Sequence, residues 1–243
     1  MTTPGLPHSD VRFRALPAFN DPEMQRVVRS RYLVGDNALP AFPGPDIRAR
    51  FARALCASRA ISLKELVESF EFHERVRRRI RGRVMADLAC GHGLTGILFA
   101  LLERTVERVL LVDTRRPDSF DRILAAAASV GPHVTDKIVY AEERLQAVDL
   151  PEDTSLIAVH ACGVRTDRCL DRAIDGGHPI AAMPCCYTQT ARDAPAAVRD
   201  HLGAELTTDI HRTYRLEAAG YRVQWAAIPR AVSPMNRILI ARR

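Results

Sequence analysis

Lysine is almost missing from this chain of 243 residues: Lys64 and Lys137 are the only two. Positive charge therefore rests on arginine. Together with the abundant alanine, this is the mark of a GC-rich genome, so arginine number alone is weak evidence for a nucleic-acid partner. Long apolar runs are also lacking. None approaches the roughly 20 residues that span a bilayer, which argues against a membrane protein. Met1-Thr-Thr-Pro-Gly-Leu-Pro7 has neither a basic n-region nor an apolar h-region, so no secretory signal is expected and a cytoplasmic location is. No two of the six cysteines have C-x-x-C spacing. Two are adjacent, Cys185-Cys186, and the set does not resemble the framework of a small secreted domain, so reduced thiols are expected. There is no internal repeat, and no low-complexity segment beyond the helical run Ala125–Ala128. The remaining composition, 47% hydrophobic and 26% charged, is that of an ordinary globular protein.

Charge is unevenly distributed. Residues 1–84 hold 16 Lys+Arg against 9 Asp+Glu, and the rest hold 19 against 20. The basic excess is concentrated in Arg75-Val-Arg-Arg-Arg-Ile-Arg-Gly-Arg83. Compositional bias would not favour one end of the chain, so this asymmetry points to a phosphate-bearing partner better than the total does. The run could equally be a solvated helix face.

The periodicities divide the chain in two. Residues 1–80 read as a helical, basic extension. Asp21 precedes Pro22 as an N-cap, Pro40, Pro43 and Pro45 mark a loop, and Phe51, Leu55, Leu63, Leu66, Val67 and Phe70 recur at helical spacing. Ser62-Leu-Lys-Glu65 is a capping box. Residues 81–243 alternate strand and helix, predicting a mainly parallel sheet. Strands are expected at 84–88, 108–112, 137–141, 156–160 and 180–183, with helices at 94–102, 117–129 and 165–174. A helix at 207–219 and two closing strands, 221–228 and 236–243, complete the pattern. That ending is the one a seven-stranded, Rossmann-like class I methyltransferase sheet uses.

Asp87-Leu-Ala-Cys-Gly-His-Gly-Leu-Thr95 is the most informative stretch. A strand, a glycine turn and a helix place N–H groups and a helix N-terminus around a ligand. Gly91, Gly93 and Gly96 also spell G-x-G-x-x-G, with Asp113 twenty residues after Gly93, the dinucleotide pattern of a nicotinamide oxidoreductase. Dinucleotide folds usually run apolar straight into the first glycine. Here Asp87 stands at the strand end, where the loop of S-adenosylmethionine (SAM) methyltransferases, which this stretch resembles, carries its acid. Ala89 replaces the usual first glycine of that loop. The resemblance implies SAM as cofactor, held by Asp87, Ala89, Cys90, Gly91, Gly93, Asp113, Thr114, Glu142 and His160. Asp113 would accept the ribose hydroxyls, and Glu142 would face the adenine amine, with Glu143 or a merely solvated Glu142 as the alternatives.

Val159-His-Ala-Cys-Gly-Val-Arg-Thr-Asp167 and Met183-Pro-Cys-Cys-Tyr187 resemble the paired H-x-C-G-x-x-T-D and P-C-C-Y motifs of one methyltransferase subgroup. That subgroup includes the methyltransferase domain of the glutathione S-transferase C-terminal domain-containing protein. More distantly it includes tRNA 2′-O-methyltransferases of the acceptor stem, which have C-C-H-H in place of P-C-C-Y. The likeness covers about residues 84–190. It implies His160, Cys185, Cys186 and Tyr187 as candidate catalytic residues. An imidazole titrates near neutrality and could serve as general base, although alignment and desolvation alone often suffice for SN2 methyl transfer. Tyr187 could stack on the acceptor or orient a nucleophile by its hydroxyl. Arg75, Arg78 and Arg79, with Tyr187, are the expected substrate contacts.

Cys90, Cys162, Cys185 and Cys186, with His92 and His160, map to neighbouring strand ends. Such a set could bind a soft metal. Cysteine is a common buried residue, however, and packing beside the cofactor is the expectation, with no metal. The most economical reading is a SAM-dependent methyltransferase acting on RNA, tRNA or rRNA. A small-molecule methyltransferase is the alternative, and a non-catalytic SAM-fold module or a nicotinamide oxidoreductase comes behind it.

Overall fold

The computed structural model describes residues 11–187 and 194–243. The expectations resting on Met1–Pro7, and the end of the motif likeness beyond Tyr187, lie outside them. Among the described residues no helix is long and apolar enough to cross a membrane. Seven strands form one sheet: β1 (Val84–Leu88), β2 (Arg108–Asp113), β3 (Ile138–Glu142), β4 (Thr154–Val159), β5 (Ile180–Met183), β6 (Arg222–Ala227) and β7 (Arg237–Arg242). Their order is β3-β2-β1-β4-β5-β7-β6. β1 to β5 are parallel, and β7 runs antiparallel to both β5 and β6. This is the Rossmann-like sheet anticipated from the alternating pattern, including its closing strand pair.

The helices are α1 (Pro22–Val27), α2 (Ile47–Ser58), α3 (Leu63–Val76), α4 (Leu94–Leu102), α5 (Ser119–Val130), α6 (Val134–Lys137), α7 (Val164–Gly176), α8 (Ala196–Leu202) and α9 (Ala204–Ala218). Strand residues alternate between two cores, as the two-residue period requires. Met85, Val109 and Leu111 face the core built with α2, α3, α4 and α5, whereas Ala86, Leu88, Leu110 and Val112 face that of α7 and α9. The N-terminal helices share the first core with β1 and α4: Phe51, Leu55, Leu66 and Phe70 are buried in the same cluster as Met85 and Ile97.

Local chemistry sets the helix ends. Asp46 caps α2 by accepting from Arg48 and Ala49 N–H, and Arg59 ends it in the left-handed region at φ 48°. The Ser62–Glu65 capping box is formed in full at the start of α3. Further along α3, buried Glu71 accepts N–H donors from Arg14, Ala15 and Leu16, while Arg75 donates to the carbonyls of Arg12 and Ala227. Burial raises the Glu71 carboxyl, with Arg75 opposing. This pair pins the N-terminal segment.

Arg75 is therefore no substrate contact. It is 8% exposed and spends its guanidinium on the fold. The rest of the basic run is also displaced from its expected place. Arg77 pairs with Glu74 and Glu103, Arg83 with Glu107, and Arg78 and Arg79 are exposed ahead of β1. These residues lie at the edge where the strands begin. The five residues of β1, about 16 Å of strand, separate them from the glycine turn. A run adjacent to the loop in sequence is thus at the opposite edge of the sheet, and Arg78 and Arg79 do not reach the mouth of the site.

Candidate active site

A cleft of about 240 Å³ opens at the C-terminal ends of β1, β2 and β4. Its floor is the glycine turn. Asp87, the penultimate residue of β1, is on the α4 face, 2% exposed, and its Oδ2 accepts the Gly96 N–H at 2.9 Å. Burial, against the help of that hydrogen bond, pushes its carboxyl up to about 7, and nearby Asp113 adds to the rise. The turn then passes through three residues of positive φ, Ala89 (56°), Gly91 (53°) and Gly93 (72°). Ala89 thus adopts the backbone of the glycine it replaces, at a steric cost glycine would avoid. Gly96 has a different reason to be glycine. A Cβ there would collide with Leu111 of β2, so its small size lets α4 pack onto the sheet.

Asp113 ends β2 and fastens the turn from the other side. Its Oδ2 accepts the Gly91 N–H at 2.8 Å and its Oδ1 the Thr114 N–H at 2.7 Å. Thr114 Oγ1 also donates to Oδ1, at 3.4 Å, so Oδ2 is the oxygen that retains a further lone pair for a ligand hydroxyl. Tyr140 of β3 braces the same turn by donating to the Gly91 carbonyl at 2.7 Å. Glu142 lies beside Asp113 in register, but its carboxylate accepts the Arg116 N–H at 3.2 Å and it does not line the cleft. Thr114 instead borders a second cleft of about 530 Å³ with Leu145, Gln146 and Ala147. Arg165 lines both clefts, and Arg144 and Arg168 line the second.

The wall opposite the turn comes from α3, a helix of the N-terminal segment. Glu65 and Ser69 line the cleft, and Ser69 bonds to Thr95 at 3.3 Å. Glu68, 1% exposed, lies 2.9 Å from His160 Nε2 and 2.6 Å from Lys64 Nζ. Burial would raise the Glu68 carboxyl, but the hydrogen bonds and charges of His160 and Lys64 hold it below the usual carboxylate range. Burial lowers the His92 imidazole despite Glu65, and its Nδ1 accepts the Leu94 N–H at the start of α4.

His160 was expected inside a strand. It lies just past β4 with φ 58°, a turn that lets its ring meet Glu68. Tyr187 also departs from expectation. It is 4% exposed, turned inward, and donates its hydroxyl to Asp209 at 2.9 Å, with Arg212 and Arg237 over its ring. Fully buried Arg212 also makes a two-pronged pair with Asp167, at 3.0 and 2.8 Å. The last residues of the H-x-C-G-x-x-T-D and P-C-C-Y motifs are thus joined through Arg212 and Asp209. Stacking of Tyr187 on an acceptor is excluded by this burial. Cys185 and Cys186 lie at the end of β5 beside Cys162 rather than beside His160's carboxylate partner.

A profile of a methyltransferase domain family matches residues 62–193, more than half of the chain. The chain belongs to that family. Its cofactor is S-adenosylmethionine, and the match begins at the Ser62 cap of α3, so the family region includes the helix that walls the cleft. No curated protein sequence is significantly similar to this methyltransferase. Among solved structures it is similar to an uncharacterised protein from Listeria monocytogenes serotype 4b. That match has 12% identity and a TM-score of 0.46, over 69% of this chain and 64% of the other. The M1A22 tRNA methyltransferase TrmK of B. subtilis matches at 12% identity and TM-score 0.44, over 69% and 63%. A SAM-dependent methyltransferase from Aquifex aeolicus matches at 11% identity and TM-score 0.46, over 72% and 90%. The chain thus spans under two thirds of the length of the first two.

Proposed function

We propose that this methyltransferase transfers a methyl group from SAM to a hydroxyl of an RNA, with His160 as general base and Glu68 as its positioning partner. The observation carrying the reading is the contact of half-buried His160 with buried Glu68 at the rim of the cleft that holds Asp87, Asp113 and the glycine turn. The residues fit the cofactor. A Cβ on Gly91 would meet nothing within 4 Å, so the turn presents open backbone, and Asp113 keeps acceptor capacity for a ribose. When bound, SAM supplies an electrophilic methyl on a sulfonium. The chain's part is to align the acceptor and take its proton. With Nε2–H donated to Glu68, Nδ1 is the basic nitrogen of His160, and the carboxylate stabilises the imidazolium that forms.

RNA as substrate draws support from charge, though not from the run first considered. Arg115, Arg144, Arg165 and Arg168 are exposed and follow the C-terminal ends of β2, β3 and β4, on the same edge as the cleft. Membership of the H-x-C-G and P-C-C-Y subgroup, a cytoplasmic location, and the reading of residues 1–80 as an extension to a domain at 81–243 belong to the same proposal. The test is transfer of tritiated methyl from SAM into fractionated RNA, protein and small molecules. Label should enter RNA, and activity should fall with salt as counterions compete. Neutralising Arg144, Arg165 and Arg168 should flatten that salt slope, whereas neutralising Arg78, Arg79 and Arg81 should not. Label confined to small molecules, with salt-independent activity, would replace RNA by a small acceptor.

A further inference from the structure

Three of the six cysteines meet at one place. Cys162 lies in the turn between β4 and α7, and Cys185 and Cys186 follow β5. Sγ of Cys162 is 2.7 Å from Sγ of Cys185, which is 3.7 Å from Sγ of Cys186, and all three lie within 4.8 Å of one another. The register explains the meeting. Val159 pairs with Met183, so Cys162 and Cys186 each stand three residues past paired positions, with Cys185 between them in reach. No sequence spacing announces this, because the ligands come from two strand ends.

We propose that Cys162, Cys185 and Cys186 form a three-thiolate site for a soft divalent cation of the zinc class, with a fourth coordination position open. The contrast with the other cysteines carries the argument. Cys56 and Cys169 are single and fully buried, and Cys90 is single and packed against the core, which is how cysteine behaves as a small packing residue. The trio is clustered and partly exposed, so packing does not account for it. Its donors are all sulfur, the set that selects soft cations over magnesium or calcium. A tetrahedral ion with Zn–S bonds of about 2.3 Å holds its sulfurs about 3.8 Å apart. One separation, 3.7 Å, is already close to that value, another, 2.7 Å, is shorter, and none exceeds 4.8 Å, so side-chain rotations suffice to reach it. No fourth His, Cys, Asp or Glu joins the group among the described residues, which leaves one position for an external ligand. Binding releases the thiol protons and ties the β4–α7 turn, two residues after His160, to the end of β5.

The full-length chain, purified under reducing conditions and stripped with a chelator, tests this by titration with Zn²⁺ against a chromophoric chelator and with Co²⁺ by absorption. One ion per chain is expected, with the thiolate-to-cobalt charge-transfer band and the intense visible bands of tetrahedral cobalt. Zn²⁺ should raise the melting temperature of the wild type. Cys162→Ser and Cys186→Ser should each weaken binding by more than about 100-fold, since even outer-shell changes cost 10- to 100-fold. Cys56→Ser should bind like the wild type. The cobalt spectrum needs no variant, so misfolding of one cannot hide the answer. No charge-transfer band, binding that survives both substitutions, or a Cys162–Cys185 disulfide as the stable state in reductant would overturn the proposal.

Discussion

Replacing Asp87 with asparagine separates the two demands on this residue. Its carboxyl is fully buried, and burial raises its pKa to about 7. Asparagine is nearly isosteric, and its Oδ1 can still accept the Gly96 N–H that Asp87 holds at 2.9 Å. Only the charge is lost. A folded-state pKa raised above the unfolded one favours folding of the protonated form. The stability this contributes is complete below about pH 4 and is lost as pH rises to about 7. About three pKa units correspond to about 4 kcal/mol at most. Urea unfolding of ligand-free wild type and Asp87→Asn across this range should show the variant gaining on the wild type by up to that amount, then levelling off. Its affinity for SAM should fall, because a cationic ligand favours the ionised carboxylate. By the same linkage, SAM should gain on S-adenosylhomocysteine as pH rises through 7. A stability difference that stays constant with pH would refute the reasoning.

Asp113→Ala should weaken SAM binding by about 1.5–3 kcal/mol in calorimetry, the worth of hydrogen bonds to a charged group. The upper end is expected because the Gly91 and Thr114 tethers go too. Glu68→Gln should lower kcat by about 10- to 100-fold, the same range of energies, while Kd for SAM changes little. An unchanged kcat would remove Glu68 from the mechanism. Tyr187→Phe should lower unfolding free energy by about 1.5–3 kcal/mol, since buried Asp209 loses a donor, and leave both the KM for acceptor and the SAM affinity unchanged.

Where one local signal dominated, the fold was legible in the sequence. β1, β5 and α4 occupy the predicted residues, and the Ser62 box starts α3 as its spacing required. α8 went unforeseen because it buries none of its residues and so has no apolar stripe to read. The turn residues Asp87, Gly91, Gly93 and Asp113 come together as expected, since one strand–turn–helix unit and its neighbour hold them. Glu68 was missed for a physical reason. A glutamate four residues after a lysine on a helix reads as a solvated pair, and only the packing of α3 against α4 brings it to His160. Tyr187 misled in the opposite sense. Its motif implied an acceptor contact, while the groups that claim its hydroxyl and ring, Asp209, Arg212 and Arg237, lie 22 or more residues away.

β7 is made after β6 yet lies between β6 and β5 in the sheet. While the chain is being synthesised, β5 can pair with β4 but its other edge has no partner, and β6 has no neighbour at all. The Arg237 that closes the node around Asp209 arrives with the same strand. A ribosome pausing before residue 237 would therefore present an apolar, half-paired strand, Ile180-Ala-Ala-Met183, to anything nearby. The sheet of this methyltransferase is thus completed by insertion of its last strand rather than by addition at an edge.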